Sequence, residues 1–544
     1  MLIMDFLRNN AKEHGEETCL VEVNPELDEK LEWRELPLVE TEPGDAYRKE
    51  ITWKEFDDQA NRFANLLLSR GLSKGDKVAI LLMNCIEWLP AYFGALKAGA
   101  IVVPLNFRYS SEEIQYCLEL ADAVGLVFGD DFTSRLAPIQ PSLKSIRSFF
   151  FIGGGEAPPY AEIYEEKTGE MPSADPCIAM DPSELAAIYF SSGTTGLPKA
   201  ILHNHESLLH ACLTEQNHHS QGPGDVFLLI PPLYHTGAKM HWFGSLASAT
   251  KAVLLKGASP KWILEAASKE RATIVWLLVP WAQDILDCLD SGELKLSDYA
   301  LSQWRLMHIG AQPVPPSLIK RWLRYFPLHQ YDTNYGLSES IGPGAVHLGV
   351  GNVQKVGAIG KAGFGWKARI VDESVQDVPK GEVGELAVSG PGVMVGYYKD
   401  PSATEAVLKD GWLLTGDMAR EDEDGFIYLV DRKKDVIIMG GENLYPVQIE
   451  DFLRTNDKIK DVAVIGVPDT RLGEIAAAVI ELKTGCLAGK EEIDRFCLEL
   501  PRYKRPRKVI FASVPRNATG KIEKPRLREM YAGGSVVAQQ ISQE

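Results

Sequence analysis

SSGTTGLPKA, running from Ser191 to Ala200, places two serines, two threonines, two glycines and a lysine within ten residues, directly after the apolar run Ile188, Tyr189 and Phe190. The apolar run predicts a buried strand, and the loop after it offers glycine-freed backbone N–H groups, hydroxyl donors and one cation. That combination suits a polyphosphate. Starting at Gly193, a Walker A loop would need glycine in sixth place and a hydroxyl after the lysine, but Pro198 and Ala200 stand there. No G-x-G-x-x-G dinucleotide loop is present either.

Outward from this loop, apolar strands alternate with helix-length segments. The spacing of Phe56, Ala60, Phe63, Ala64 and Leu67 predicts a helix from Trp53 to Arg70, stopped by Gly71. KVAILLM (77–83), AIVVPL (100–105), VFLLIP (226–231), AVLLK (252–256), TIVWLLV (273–279) and RLMHIG (305–310) read as strands, with a helix predicted over 88–97. Continuous apolar strands between amphipathic helices predict parallel sheet covered on both faces. After about Val371 the segments GEVGELAVSG and GFIYLVD read as antiparallel β structure, and beyond DRKKD a small α+β unit follows. The expected architecture is therefore α/β and α+β multidomain. A large N-terminal domain (1–430) carries parallel-rich sheets and a β subdomain, 431–434 is a charged linker, and 435–544 is a small α+β domain. The polar stretch 23–49 is expected to be a surface excursion.

The 544 residues are enough for more than one core. With 57 Lys+Arg against 75 Asp+Glu the net charge is −18, which disfavours nonspecific nucleic-acid binding. The eight cysteines form no C-x-x-C pair, so neither a zinc framework nor a disulfide framework is expected. No apolar run approaches the roughly 18 residues of a membrane span, and a cytoplasmic protein is expected. His203, His205, His210, His218 and His219 crowd one stretch and read as a polar helix face, not a metal site.

The loop SSGTTGLPK resembles the phosphate-loop signature of the adenylate-forming superfamily, in its AMP-forming acyl-CoA synthetase (acid–thiol ligase) branch. PPLYHTGA (231–238), GAQP (310–313), YDTNYGLSES (331–340), GWLLTGD (411–417), DRKKDVIIMGGENLYP (431–446) and PRNATGKIEK (515–524) follow in family order. The resemblance covers the chain from about Ile51 to Arg528.

The resemblance implies an enzyme that joins a carboxylate to AMP with loss of pyrophosphate and then passes the acyl group to a thiol. Its implied cofactors are ATP, Mg²⁺ and coenzyme A. Ser191, Ser192, Gly193, Thr194, Thr195, Gly196 and Lys199 would hold the terminal phosphates, with Ser338 beside them and Glu339 on Mg²⁺. Gly310, Ala311 and Gln312 would line the adenine, with Asp332, Thr333, Asn334, Tyr335 and Gly336 next to it. Asp417 would accept from the ribose hydroxyls, helped by Arg432. Lys521 would be the catalytic lysine and Lys434 the hinge about which the C-terminal domain turns. Gly440, Gly441 and Glu442 would follow into the pantetheine channel, and His235 would position the acyl carboxylate.

Thr236 stands where amino-acid-activating relatives commonly carry aspartate, which argues against an α-amino acid. Ala238, Met240, Trp242 and Phe243 suggest an apolar acyl wall, and Lys239 is expected to point to solvent. The expected partner is a small carboxylic acid, aromatic, alicyclic or medium-chain, handled by a monomer or a homodimer. A stand-alone adenylating enzyme serving a carrier protein, or a noncatalytic acyl-adenylate or nucleotide binder, are the alternatives.

Overall fold

The computed structural model describes residues 1–25, 47–191, 198–310, 314–342, 344–439, 442–516 and 522–532. Two compact units are present, residues 1–368 with 387–414 and residues 369–386 with 415–544. The segment 431–434 lies within the second. The strands Gly384–Ser389 and Trp412–Glu421 each begin in one unit and end in the other.

In the first unit the described residues form two large sheets. A seven-stranded sheet runs in the spatial order Gln330–Asp332, Leu306–Gly310, Ile274–Leu278, Val226–Leu229, Lys251–Leu255, Thr18–Val23 and Arg48–Thr52. All neighbours are parallel except the last pair, which is antiparallel. The expected surface excursion therefore has strands at its ends, and its middle, 26–46, lies outside the described residues. An eight-stranded sheet has Leu185–Ser191 parallel to Ile101–Pro104, and antiparallel to Lys199–Asn204 on its other side. Sheet strands such as Leu306–Gly310 are buried along their whole length, as continuous apolar runs require when both faces are covered.

The helix Trp53–Ser69 starts at a capping box, with Thr52 Oγ1 accepting from the Glu55 N–H and Glu55 answering to the Thr52 N–H. Its apolar stripe packs on the helix Trp88–Lys97. Between them Phe56, Phe93 and Trp242 form an aromatic knot with ring centres 5.5 to 5.9 Å apart. Trp242 and Phe243 are fully buried in this core. The expected acyl wall is corrected here: in the helix Thr236–Ser248 these two rings turn into the hydrophobic centre.

The second unit is built on the hairpin of Ile459–Asp469 and Gly473–Leu482, with Lys508–Phe511 parallel to its second strand. Alternation sends Val462, Val464, Ala476, Ala478 and Ile480 into one core cluster. Ala463, Ile465, Val467, Ala477 and Val479 enter another on the opposite face. The helices Pro446–Leu453 and Lys524–Ala532 both pack on Ile459–Asp469. This is the small α+β unit expected from the sequence. The antiparallel pairing of Trp412–Glu421 with Ile427–Arg432 matches the β region expected before it.

Candidate active site

The antiparallel pair that carries the opening motif ends with Ser191 opposite Lys199. The hairpin thereby fixes both ends of the hydroxyl-rich loop, while Ser192, Gly193, Thr194, Thr195 and Gly196 lie outside the described residues. Next to Lys199–Asn204 runs the short strand Gly396–Tyr397, with Tyr397 opposite Ile201. The Lys199 ammonium nitrogen lies 4.6 Å from the centre of the Tyr397 ring. The Tyr397 hydroxyl donates to Oε1 of Glu339 at 3.0 Å. Burial, and then the Glu339 charge, push the Tyr397 phenol well above its ordinary value, so it remains a donor. Lys199 and Glu339, two residues expected to serve the phosphates and their metal, are thus brought together through a tyrosine that the motif reading passed over. Its signal was the aromatic pair in VGYYKDP (395–401).

Glu339 belongs to a single turn of 3-10 helix, Ser338–Ser340. The Ser338 hydroxyl lies 3.4 Å from Oγ1 of Thr236, and its carbonyl accepts from Nε2 of His203 at 2.8 Å. Burial lowers the His203 imidazole to about 4, so it acts as a neutral donor that pins this turn. His235 is the N-cap of the helix Thr236–Ser248, where its Nδ1 accepts from the Gly237 N–H at 3.2 Å. The start of this helix meets the loop after Ser340 very closely. Gly342 has φ +54°, and a Cβ there would stand 2.9 Å from the Gly237 nitrogen.

Gly310 ends its strand, and a Cβ on it would lie 3.8 Å from Asn334 Oδ1 and 4.0 Å from Thr333 Oγ1. Gly310, Thr333 and Asn334 are therefore neighbours, and Tyr335 pairs with Val346 one step further on. Ala311 and Gln312 lie outside the described residues. Asp332 differs from the rest of this group. It is completely buried, and its Oδ1 accepts from the Thr333 and Gly349 N–H groups at 2.8 and 3.0 Å. Burial pushes this carboxyl up to about 8.

In the second unit Asp417 and Arg432 face each other across paired strands, and Arg432 Nε donates to Asp417 Oδ1 at 2.7 Å. The preceding Gly416 N–H donates to Glu385, whose other oxygen pairs with Lys433 at 2.9 Å. Asp431 is buried and accepts from the N–H groups of Arg432 and Val447. Lys434 is exposed in the 3-10 turn Lys433–Asp435, and Asp435 holds Arg528 at 2.7 Å. Glu442 opens the strand Glu442–Leu444. Gly440, Gly441 and Lys521 lie outside the described residues.

Two expectations are corrected. Lys239 does not reach solvent: it is fully buried, its nitrogen 4.1, 5.0 and 5.6 Å from the ring centres of Tyr189, Tyr92 and Trp88. The histidines are not a polar surface face either. His203, His205, His210 and His219 are all buried, and Glu215, one helical turn before His219, lies 2.8 Å from its ring. That carboxylate was visible at i, i+4 spacing and was overlooked.

The family model of the AMP-binding enzymes matches residues 8–398, and that of the AMP-binding enzyme C-terminal domain matches 448–521. A feruloyl-CoA synthase of Amycolatopsis is 32% identical, over 88% of this chain and 94% of the relative. A long-chain-fatty-acid–CoA ligase of Mycobacterium tuberculosis is 30% identical, over 89% and 93%. The crystal structure of ATP-bound MatB from Rhodopseudomonas palustris superposes with a TM-score of 0.84 at 26% identity, covering 98% of this chain and 99% of that one. Among the described residues no helix is long and apolar enough to cross a membrane. With the family model running through most of the chain, and relatives aligning along nearly all of their own length, the chain belongs to the AMP-binding enzyme family.

Proposed function

We propose that the chain is an ATP-dependent acyl-CoA ligase acting in the cytoplasm on a monocarboxylic acid, aromatic, alicyclic or medium-chain. In the first step a carboxylate oxygen attacks the α-phosphorus of ATP, and the bond to the bridging oxygen breaks to release pyrophosphate. In the second the thiol of coenzyme A, losing its proton, attacks the acyl carbon and AMP leaves with the bonding electrons. The observation that carries this reading is the cluster of Lys199, Tyr397 and Glu339 beside the hairpin that bears the hydroxyl-rich loop.

Both reactants of the first step are anions, so oriented donors and cations must offset the charge that develops. Ser191 and Lys199, with Ser192, Gly193, Thr194, Thr195 and Gly196, would take the β- and γ-phosphates. Ser338 would add a hydroxyl that lies against Thr236, on a turn that His203 pins through the Ser338 carbonyl. Glu339, a half-exposed carboxylate, fits a hard cation, and Mg²⁺ held there would supply charge neutralisation. Gly310, Ala311, Gln312, Thr333, Asn334, Tyr335 and Gly336 are assigned to the adenine, and Asp417 and Arg432 to the ribose. Asp332 would support the adenine strand through its backbone hydrogen bonds. Lys521 is assigned to the α-phosphate and attacking carboxylate, Lys434 to the hinge in 431–434, and Gly440, Gly441 and Glu442 to the thiol step. His235 would position the acyl carboxylate from the helix cap.

Relatives named for feruloyl and for long-chain fatty acids support an apolar acid and leave its shape open. Carboxylate-dependent ATP–pyrophosphate exchange across aryl, alicyclic and linear acids tests the reading. Exchange with one class, and AMP release that requires coenzyme A, is the expected result. No exchange with any acid would overturn it in favour of a noncatalytic binder, and exchange without thioester formation would favour carrier-protein service.

A further inference from the structure

We infer that the first unit contains a structural zinc site formed by His219, His308, Asp332 and His347. This site does not include Glu339, assigned to Mg²⁺; it shares Asp332 with the strand assigned to the adenine, and its metal content is read without any ligase assay. The four side chains come from four elements: the end of the helix His205–His219, the adjacent strands Leu306–Gly310 and Gln330–Asp332, and the strand Val346–His347. His308 and Asp332 are register partners on parallel strands and so present their side chains to the same face of the sheet. His219, His308 and Asp332 are 0% exposed and His347 is 4% exposed.

One ligand atom from each of the four lies within 4.8 Å of every other. His219 Nε2 and His308 Nδ1 are 3.0 Å apart, and His347 Nε2 and Asp332 Oδ2 are 3.2 Å apart. Tetrahedral zinc, with bonds of about 2.0–2.1 Å, needs its ligand atoms roughly 3.3 Å from one another. Two of the six separations are thus close to what a bound ion would require, and the rest lie within 4.8 Å.

Two further observations point to an ion. His347 Nε2 and Asp332 Oδ2 are both fully buried and without a hydrogen-bond partner despite their closeness. Buried polar atoms left in this way are costly unless an ion or water completes them. The second observation is Glu215. Its Oε1 lies 2.8 Å from Nδ1 of His219 and 2.6 Å from Nδ1 of His241, also buried. Glu215 thus places a carboxylate behind His219, the arrangement common behind metal-binding imidazoles, while Nε2 of His219 and Nδ1 of His308 share a hydrogen bond that an ion would replace. Three imidazoles and one carboxylate converging within 4.8 Å suit Zn²⁺, and their burial gives the enclosure of a structural site. The ion would enter while the chain folds.

The test uses the full chain produced in zinc-supplemented medium and dialysed. Elemental analysis is expected to find one zinc per chain. A chromophoric chelator should capture that zinc only when denaturant unfolds the protein. Protein produced with Co²⁺ should show the intense visible absorption of a tetrahedral cobalt centre. His347→Gln and the double variant His308→Gln/His347→Gln should lose the metal, whereas Glu339→Gln should keep it. Absence of stoichiometric zinc together with absence of the cobalt spectrum in the unaltered protein would overturn the proposal and leave a hydrogen-bonded histidine core. Retention of the full equivalent by a folded double variant would overturn it equally. Because the unaltered protein decides the first point, a variant that fails to fold does not rescue the idea.

Discussion

The Tyr397 hydroxyl donates to Glu339 at 3.0 Å while the ring of the same tyrosine lies under the Lys199 ammonium group at 4.6 Å. One residue thereby couples the lysine at the end of the phosphate loop to the carboxylate assigned to Mg²⁺. Tyr397→Phe keeps the ring and removes only the hydrogen bond. A hydrogen bond to a charged group contributes about 1.5–3 kcal/mol, so exchange should fall by roughly 10- to 100-fold. The loss should appear partly as a higher Mg²⁺ requirement. Tyr397→Leu removes the ring as well and should fall further. Unchanged exchange in Tyr397→Phe would show that the hydroxyl does not orient Glu339 during the reaction.

The two half-reactions should separate genetically. Lys521→Ala removes the cation assigned to the α-phosphate, and such a loss costs on the order of 3 kcal/mol, or roughly 100-fold and more in adenylation. Thioester formation from supplied acyl-adenylate should survive. Gly441→Leu, adding bulk where pantetheine is assigned to pass, should spare adenylation and suppress the thiol step. Single-turnover assays of each step, with acid plus ATP and then with acyl-adenylate plus coenzyme A, check both. Equal loss of both steps in both variants would contradict this division of labour.

The sequence exposed most of the fold because its sheet strands are buried on both faces. Runs such as KVAILLM and RLMHIG stand out without any knowledge of their neighbours, and the observed strands Lys77–Leu81 and Leu306–Gly310 fall inside them. The loop was legible for a chemical reason, the concentration of hydroxyls, glycines and a lysine. Long-range proximity was not. Tyr397 reaches Glu339 from 58 positions away, and His308 meets His219 from 89. Nothing local marks either encounter. The helix Thr236–Ser248 misled for another reason. It is buried on nearly every side, so periodicity could not separate a pocket wall from the core, and a lysine is ordinarily expected at the surface.

Lys97 is the cation of a buried network. Its ammonium group is 0% exposed and contacts Asp57 and Asn61 at 2.6 Å and Asp175 at 3.0 Å, while Arg8 donates to Asp175 at 2.8 Å. Lys97→Met leaves two carboxylates without their shared partner and should cost about 3–5 kcal/mol. The denaturation midpoint should move with little change in slope. Burial alone would raise the Asp175 carboxyl. Hydrogen bonds from Arg8, the Cys177 N–H and Lys97 outweigh that and hold it well below the ordinary carboxylate range. Its folded value is below its unfolded value, so the stabilisation is complete above about pH 4 and is lost as pH falls toward the folded value. Asp175→Asn should flatten that acid limb. An unaltered limb would mean that other carboxylates govern it.

Lys239 presents the opposite case, a buried amine with no hydrogen-bond partner, surrounded by Tyr189, Tyr92 and Trp88. Desolvation holds its basicity well below that of a free lysine. The unfolded chain therefore binds the proton more tightly, and stability should rise with pH up to the unfolded lysine value of about 10.4. Lys239→Met fills a similar volume without a polar atom and should stabilise the protein by about 1–3 kcal/mol near neutrality. That gain should shrink between pH 7 and pH 10, because the unaltered protein improves while the variant has no such slope. Chemical denaturation of both proteins across this range checks the prediction. A constant difference, or a variant less stable than the parent, would mean that the aromatic surround stabilises the charged ammonium group by cation–π attraction and compensates its burial.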